Sequence, residues 1–374
     1  MNSIFKHIGY FLVGLLALSC AKPVDWVDPE GTYADAELVS VSFNIEIINR
    51  TKATDVTDDD DAAIVRWTVF AFDDEDGWMR YGTSEGGKSI DLHLFTGRQY
   101  TCYAFANYST VGMSAFKPAT VRTAADLVNR VATLSDNAVG KLMMFGKTAV
   151  VPSIVFRREP EEEGGEEELI GAPVTLEVTR TVSRINVEGF RVDFSGMGEE
   201  APSKFVLRGI YVTNAYRTNR LGSDYMENEI SGVRSAWYNT GGYHVGEVGI
   251  DALDELLSEK DLKVTVSEGK RFSTRVTFYV FPNRTEEEDD EYQMAIWTRR
   301  CTRVLIEAQL DGKTNYYQMD VPDIRRNHVY VLSDIVISGP GSAEEESVRA
   351  PKGSISYVLD EYQFGHEPAP NDED

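Results

Sequence analysis

Apolar and polar residues alternate in short runs along most of the chain. In the clearest run, Leu38–Ile48, every odd-numbered position from Val39 to Ile47 is apolar. Successive side chains of a strand point to opposite faces, so this pattern is typical of a half-buried β-strand. Similar runs separated by turn residues predict strands at Ile64–Asp73, Ser89–Phe95, Gln99–Asn107, Leu142–Gly146, Ala149–Phe156, Phe205–Asn214, Lys263–Val266, Phe272–Phe281, Val304–Leu310, Asn315–Val321 and His328–Ser338.

Helical periodicity is rare in comparison. Ala124–Leu134, with Thr123 as a candidate N-cap, is the best helix candidate in the N-terminal half. Many short strands with little helix predict an all-β fold of two β-sandwiches in tandem. The low-complexity run Glu159–Glu168 cannot bury apolar surface, so it predicts an exposed loop or linker, and we place the domain boundary there. We therefore expect an N-terminal sandwich over residues 51–170 and a C-terminal one over residues 171–374.

The C-terminal domain is expected to begin with the alternation at Val174, Leu176 and Val178. It ends with a further alternating stretch, in which Ile355, Tyr357 and Leu359 are the apolar positions, followed by an acidic, proline-bearing tail. The aromatic content of 18 Tyr, 17 Phe and 5 Trp suits the cores of β-sheets.

The first residues have the pattern of an export signal. The apolar run Ile8–Leu18 is too short to span a bilayer and matches the core of a signal peptide, here residues 1–19. The tetrapeptide ending at Cys20 resembles a bacterial lipobox, with Ala17 where a leucine is usual. Cys20 is therefore a predicted lipidation site. Acyl chains such as palmitate on this cysteine would anchor the protein to a membrane. An ordinary signal peptide with an incidental Cys20 is the alternative.

Charge limits the range of partners. The net charge is −24, so a phosphate backbone would be repelled and nucleic acid is not expected as a partner. The acidic segment Thr51–Ala63 is interpreted as a solvated loop, and it lacks the spacing of a calcium-binding loop. No metal site and no cofactor are predicted.

Cys102 and Cys301 are interpreted as buried thiols, with a disulfide as the alternative.

Motifs of catalysis are missing from the sequence. The five histidines are scattered, and there is no zinc-protease, Walker or nucleophile-elbow motif. Abundant carboxylates leave a two-carboxylate glycosidase open, but solvated surface is the favoured reading, and no catalytic residue is assigned. Trp237, Tyr238 and Tyr243 lie in a Gly-, Asn- and Ser-rich stretch, which is either a ligand-binding loop or a loop packed on its own domain by those rings.

Several stretches, in order along the chain, resemble the fimbrillin family, the subunits of type V pili. The lipobox-like Cys20 is followed by a strand that ends in Ile47-Ile48-Asn49-Arg50. Val178–Val187, with the sequence VTRTVSRINV, is similar to the strand that opens the family's C-terminal domain. Ile324–Tyr330 and Ile337–Gly341 are similar to a segment near the end of that domain.

The resemblance implies two transthyretin-like β-sandwich domains and a lipoprotein precursor at the outer membrane. An extracellular protease would cut between Arg50 and Thr51, releasing a lipidated propeptide, residues 20–50, together with the first strand. The opened groove would accept a strand donated by a neighbouring subunit, here Ser354–Phe364. The implied protein is a non-enzymatic subunit of a cell-surface fimbrium that serves adhesion.

The sequence also allows other interpretations of the C-terminal strand and of the protein's role. Ile355, Tyr357 and Leu359 fit a donor strand, but they equally fit the last strand of their own domain. The acidic tail after Phe364 fits a tip subunit, or an anchor that keeps its lipid, as well as a stalk subunit. A monomeric surface lipoprotein that binds glycan through the aromatic loop is the alternative from another class. A host protein or glycan could be a further partner.

Overall fold

The structure is a computed structural model that describes residues 36–48, 59–75, 77–87, 89–110, 115–137, 139–158, 168–222, 237–238, 257–283, 301–343, 354–364 and 366. The regular secondary structure of this part of the chain is mostly β-strand, which confirms the predicted all-β fold of tandem sandwiches. Within it, no helix is long and apolar enough to cross a bilayer.

Among the described residues, ten strands precede the second sandwich, and nine of them form one sheet. The order of pairing is β3-β2-β5-β7-β10-β1-β9-β8, and β4 also pairs with β1. Side chains from both halves of this sheet form one core cluster, so the sheet closes on itself as two layers. The strands are β1 (Leu38–Ile47), β2 (Arg66–Asp73), β3 (Met79–Glu85), β4 (Ser89–Phe95), β5 (Tyr100–Ala106), β6 (Val131–Thr133), β7 (Met144–Val150), β8 (Ile154–Arg158), β9 (Glu168–Gly171) and β10 (Val174–Arg180).

A short helix and loops cover the outer face of this sheet. Helix α1 (Ala124–Val128) begins at Thr123, whose hydroxyl accepts from the amide of Asp126 while the Asp126 carboxylate accepts from the amide of Thr123. The helix is shorter than the predicted Ala124–Leu134, because the chain turns at Asn129 and enters β6. Short 3-10 helices occur at Asp59–Ala62, Pro118–Thr120, Leu134–Asp136 and Ser195–Glu200.

The second sandwich has two main sheets. One has the order β19-β12-β23-β11-β20, with β24 paired to the free edge of β23, and the other contains β17, β18, β13, β21 and β22. Phe190 of one sheet packs against Phe205 of the other in the core between them. The strands are β11 (Ser183–Val187), β12 (Phe190–Val192), β13 (Phe205–Thr213), β14 (Ala215–Tyr216), β15 (Thr218–Arg220), β16 (Trp237–Tyr238), β17 (Ser258–Glu259), β18 (Val264–Val266), β19 (Arg271–Phe272), β20 (Val276–Val280), β21 (Thr302–Leu310), β22 (Lys313–Val321), β23 (His328–Ile337) and β24 (Ile355–Gln363).

The division of the chain differs from the sequence-based expectation. β9 and β10 both pair with β1, so the first sheet continues to Arg180, beyond the boundary expected after residue 170. The acidic run joins β8 to β9 and is not the link between the sandwiches. Alternation identified the strand at Val174–Val178, but a parallel strand can return to an earlier sheet, and sequence order does not reveal that return.

The two sandwiches also share contacts. β6 of the first domain pairs with β15 of the second. The outer face of β2 and β5, which carries Phe70 and Phe105, belongs to one continuous apolar cluster with the core of the second sandwich. β24 packs against this shared cluster, whereas β1 belongs to the separate core of the first domain.

Candidate functional site

β1 lies inside the first sheet, with partner strands along both of its edges. On one edge it runs antiparallel to β4 over Leu38–Asn44. On the other edge it runs parallel to β10 over Phe43–Ile47 and meets β9 at Ser40. Just past its end, the amide of Ile48 donates to the carbonyl of Val178 at 2.9 Å. The strand is therefore central in its sheet, whereas the alternation of the sequence predicted only a half-buried strand.

One face of β1 fills the core of the first domain. Val39, Val41, Phe43 and Ile47 are buried and share a cluster with side chains of β2 and β5. The fit is close at Gly171 of β9, where an added Cβ would lie 3.0 Å from Val41 Cγ2. Removal of β1 would leave a groove lined by apolar side chains and by unpaired backbone groups of β4 and β10, both costly in water.

β1 also holds other strands in place. Among the described strands, β4 pairs only with β1. The hairpin of β8 and β9 is likewise joined to the rest of the described sheet only through β1. The loss of β1 would thus disconnect three further strands, β4, β8 and β9, from the rest of the described sheet.

β24 is an edge strand of the second domain. It pairs antiparallel with β23 from Ile355 to Gln363, and no other described strand pairs with it. Ile355, Tyr357 and Leu359 pack on the core of their own domain but remain half-exposed. The amide of Asp320 donates to the Tyr357 hydroxyl at 3.0 Å. In this structure the strand therefore completes its own domain, which is one of the two roles left open by the sequence.

A cluster of buried polar groups joins the two domains beside the end of β24. Asp61 accepts a charged hydrogen bond from Arg184 at 2.8 Å, and the two side chains are only 5% and 3% exposed. The Tyr279 hydroxyl donates to the same carboxylate at 2.7 Å. Arg180 donates from Nε to the Asp61 carbonyl at 3.0 Å. Asp61 was expected in a solvated loop, and that expectation is wrong because the fold brings to it cationic partners that lie 119 and 123 residues further along the chain.

The environment of Asp61 affects its titration. Burial raises the pKa of the Asp61 carboxyl, and the hydrogen bond from Tyr279 and the charges of Arg184 and Arg180 offset part of the rise. Removing one member of a buried ion pair costs roughly 3–5 kcal/mol, because the other charge is left without compensation. The pair therefore fixes the segment Asp59–Ala62 to the second domain.

The end of β24 closes this cluster. The ring of Phe364, 2% exposed, lies 4.3 Å from Arg180 Cζ and 5.0 Å from Arg184 Cζ. Asn327 connects the same groups through its side-chain oxygen, which accepts from Arg180 Nη1 at 3.2 Å. We refer to Asp61, Arg180, Arg184 and Phe364 as the Asp61 cluster. Arg180 and Arg184 belong to the stretch Val178–Val187 noted in the sequence, but nothing in the sequence connects them with Asp61 or Phe364, which lie in distant segments.

The remaining predicted residues fall into two groups. Cys20, Arg50, Thr51 and Tyr243 lie outside the described residues. Trp237 and Tyr238 form β16, which pairs with β14, and the positions of their side chains are not described. The roles in lipidation, cleavage and ligand binding stay predictions.

In the described part of the chain, the two cysteines are buried and the acidic side chains form no candidate metal site. Cys102 and Cys301 are both buried and do not form a disulfide with each other. Burial raises the pKa of the Cys102 thiol to about 12, so it is inert at neutral pH. Within the described residues, no three His, Cys, Asp or Glu side chains are grouped as metal ligands would be.

No protein-family model and no curated protein matches the chain. Solved structures do match, at 17–18% sequence identity. A protein described as a cell adhesion protein from Bacteroides eggerthii aligns over 87% of this chain and 96% of its own, with a TM-score of 0.55. A similarly described protein from Parabacteroides distasonis aligns over 87% and 98%, with a TM-score of 0.56.

A fimbrilin from Porphyromonas gingivalis aligns over 87% of this chain and 97% of its own, with a TM-score of 0.53 and 18% identity. The chain has the fold of a fimbrilin. The resemblance noted in the sequence is thereby confirmed at the level of the fold. The alignment spans 87% of this chain, so most of the chain shares this fold.

Proposed function

We propose that this protein is a structural subunit of a cell-surface fimbrium that serves adhesion. In this proposal it is exported as a lipoprotein through Cys20, cut after Arg50 and polymerised by strand exchange with other pilus subunits. The observation that carries the proposal is the position of β1, a central strand that ends at Ile47, just ahead of the predicted cut. A cut there would detach a core strand and leave the rest of the polypeptide in one piece.

The lengths and patterns of β1 and β24 match each other. β1 has 10 residues and β24 has 9, and both alternate apolar with polar positions. β24 is the last described strand and lies at a sheet edge, so it can leave without breaking the order of the other strands. A strand donated into the groove of a neighbour would restore backbone pairing and fill the emptied apolar sites. Because head-to-tail donation does not close on itself, the product is a filament.

The pattern also indicates which part of β24 would enter the groove. Alternation holds from Ile355 to Leu359, and then both Asp360 and Glu361 are exposed. In a straight strand Glu361 would follow Leu359 on the inward face, where a carboxylate is costly. We therefore place the inserted stretch at Ile355, Tyr357 and Leu359.

Downstream arginines are poor competitors for the cut. Arg66 lies in β2, with its Nε 2.5 Å from Glu85, and Arg80 lies in β3 against the ring of Trp78. A protease needs an extended, accessible backbone, and strands held on a sheet do not offer one. This favours Arg50, which lies three positions after Ile47, the last residue of β1, in the sequence.

The test is the N-terminal sequence and intact mass of the protein recovered from the cell surface. We expect wild-type protein to begin at Thr51, free of lipid, and to form polymers that resist detergent. Arg50→Ala should leave the lipidated N-terminus at Cys20 and abolish polymer, whereas Arg66→Lys should behave as wild type. Wild-type protein that keeps its lipid and does not polymerise would overturn the proposal. It would favour an anchor subunit or a monomeric lipoprotein.

A further inference from the structure

The Asp61 cluster brings together three segments that are far apart in the sequence. Asp61 belongs to the 3-10 helix ahead of β2, Arg180 and Arg184 flank the crossing between the domains, and Phe364 directly follows β24. The contacts run in series, from the Asp61 carboxylate to the guanidinium groups and from these to the Phe364 ring. A substitution of Asp61 or of Phe364 therefore alters the surroundings of the same two arginines.

We propose that the Asp61 cluster is a latch that couples the retention of β24 on its own domain to the anchoring of the segment Asp59–Ala62. While Phe364 covers the arginines, water is kept from the ion pair. When β24 leaves, that cover is lost and the ion pair becomes hydrated, which weakens its hold on Asp61. The coupling is reciprocal, because two events that share one free energy influence each other equally.

The rest of β24 makes Phe364 important to its retention. The strand is paired along one edge only, and its inward side chains at Ile355, Tyr357 and Leu359 are half-exposed. Phe364 is fully buried, and it also has a backbone link, since its amide points to the Asn327 carbonyl at 3.4 Å. The end of the strand is thus held more firmly than its middle, as expected of a latch.

In the context of the proposed function, on which its biological role rests, the latch acts on the donor strand. Asp61 is in the segment that follows the predicted cut after Arg50, and Phe364 is at the end of the strand to be donated. An intact cluster keeps β24 docked and withheld from other subunits. A disturbed cluster releases it, and the release in turn loosens the segment behind the new N-terminus.

Hydrogen exchange measured by mass spectrometry on the purified monomer tests the coupling in both directions. In Phe364→Leu, which keeps an apolar side chain but removes the ring, exchange should accelerate by about five- to tenfold both in β24 and at Asp59–Ala62. In Asp61→Asn, exchange in β24 should accelerate by a similar factor, although Asp61 is not part of that sheet. Val358→Ala, at a position on β24 that is 44% exposed, is the matched control and should leave Asp59–Ala62 unchanged.

Two results would overturn the latch. One is acceleration confined to the mutated segment in both Phe364→Leu and Asp61→Asn. The other is an equal effect of Val358→Ala at Asp59–Ala62, which would show a general loosening of β24 and no specific connection. Because the monomer is measured without any polymer, the result is independent of strand exchange. Failure to polymerise would leave the measured coupling intact, and absence of coupling would leave the proposed subunit function untouched.

Discussion

Phe43 offers a direct way to ask whether β1 is part of the final fibre. Its ring is fully buried in the core of the first domain. Replacing a buried Phe by Ala removes its transfer free energy and leaves a cavity, at a cost of about 3–5 kcal/mol. For a unit of 150–250 residues, a loss of about 4 kcal/mol lowers the melting temperature by about 8–16 °C. Phe43→Ala should therefore melt well below wild type as long as β1 is present.

The assay compares the uncut protein with the assembled fibre. Melting of the uncut protein is followed by circular dichroism, and the fibre is scored by the temperature at which it dissociates in detergent. Phe105→Ala is the control, because Phe105 is equally buried but lies on β5, which stays after the cut. We expect both variants to destabilise the uncut protein and only Phe105→Ala to destabilise the fibre. A fibre weakened equally by Phe43→Ala would show that β1 is still in place, and an unaffected uncut protein would refute its role in the core.

Two further predictions concern the first domain. Gly146→Ala should lower the free energy of unfolding by about 1–3 kcal/mol in a denaturant titration, because its added Cβ would lie 1.9 Å from the Glu177 carbonyl oxygen. Gly196→Ala, whose Cβ meets no atom within 4 Å, should be neutral, and an equal loss in both would contradict the argument. Cys102 should resist a thiol reagent at pH 8 in the uncut protein but react in cut monomer, since it belongs to the core that β1 covers. Cys301, buried in the second domain, should stay unreactive in both, and early reaction of Cys102 in uncut protein would speak against a closed groove.

The alternation of apolar and polar residues predicted strands correctly where the strand has one buried face. β1, β4 and β24 were predicted within a residue or two for this reason. It failed for β3, whose sequence MRYGTSE has no apolar run because most of the strand is half-exposed. It also divided β7 wrongly: Leu142–Gly146 and Ala149–Phe156 were expected as two strands, but one strand spans Met144–Val150 and β8 follows. Gly146 and Lys147 interrupt the apolar pattern without ending the backbone pairing to β5.

The Asp61 cluster shows a different limit. An aspartate within a run of aspartates predicts solvent, and nothing local distinguishes Asp61 from its neighbours. Its burial results from Arg184 and Tyr279, which only the three-dimensional fold brings to it. Periodicity reports which face of an element is buried, but it carries no information about which isolated charges will meet across a domain interface.

The double-sided pairing of β1 has a mechanical consequence for a fibre. A donated strand in that position would be bonded to β4 along one edge and to β9 and β10 along the other. Tension along the filament would then pull the strand lengthwise between its two neighbours, so many backbone hydrogen bonds would have to break together. A strand held at one edge could instead peel away bond by bond. The position that makes β1 costly to lose is thus the position in which its replacement could best resist shear from flowing liquid.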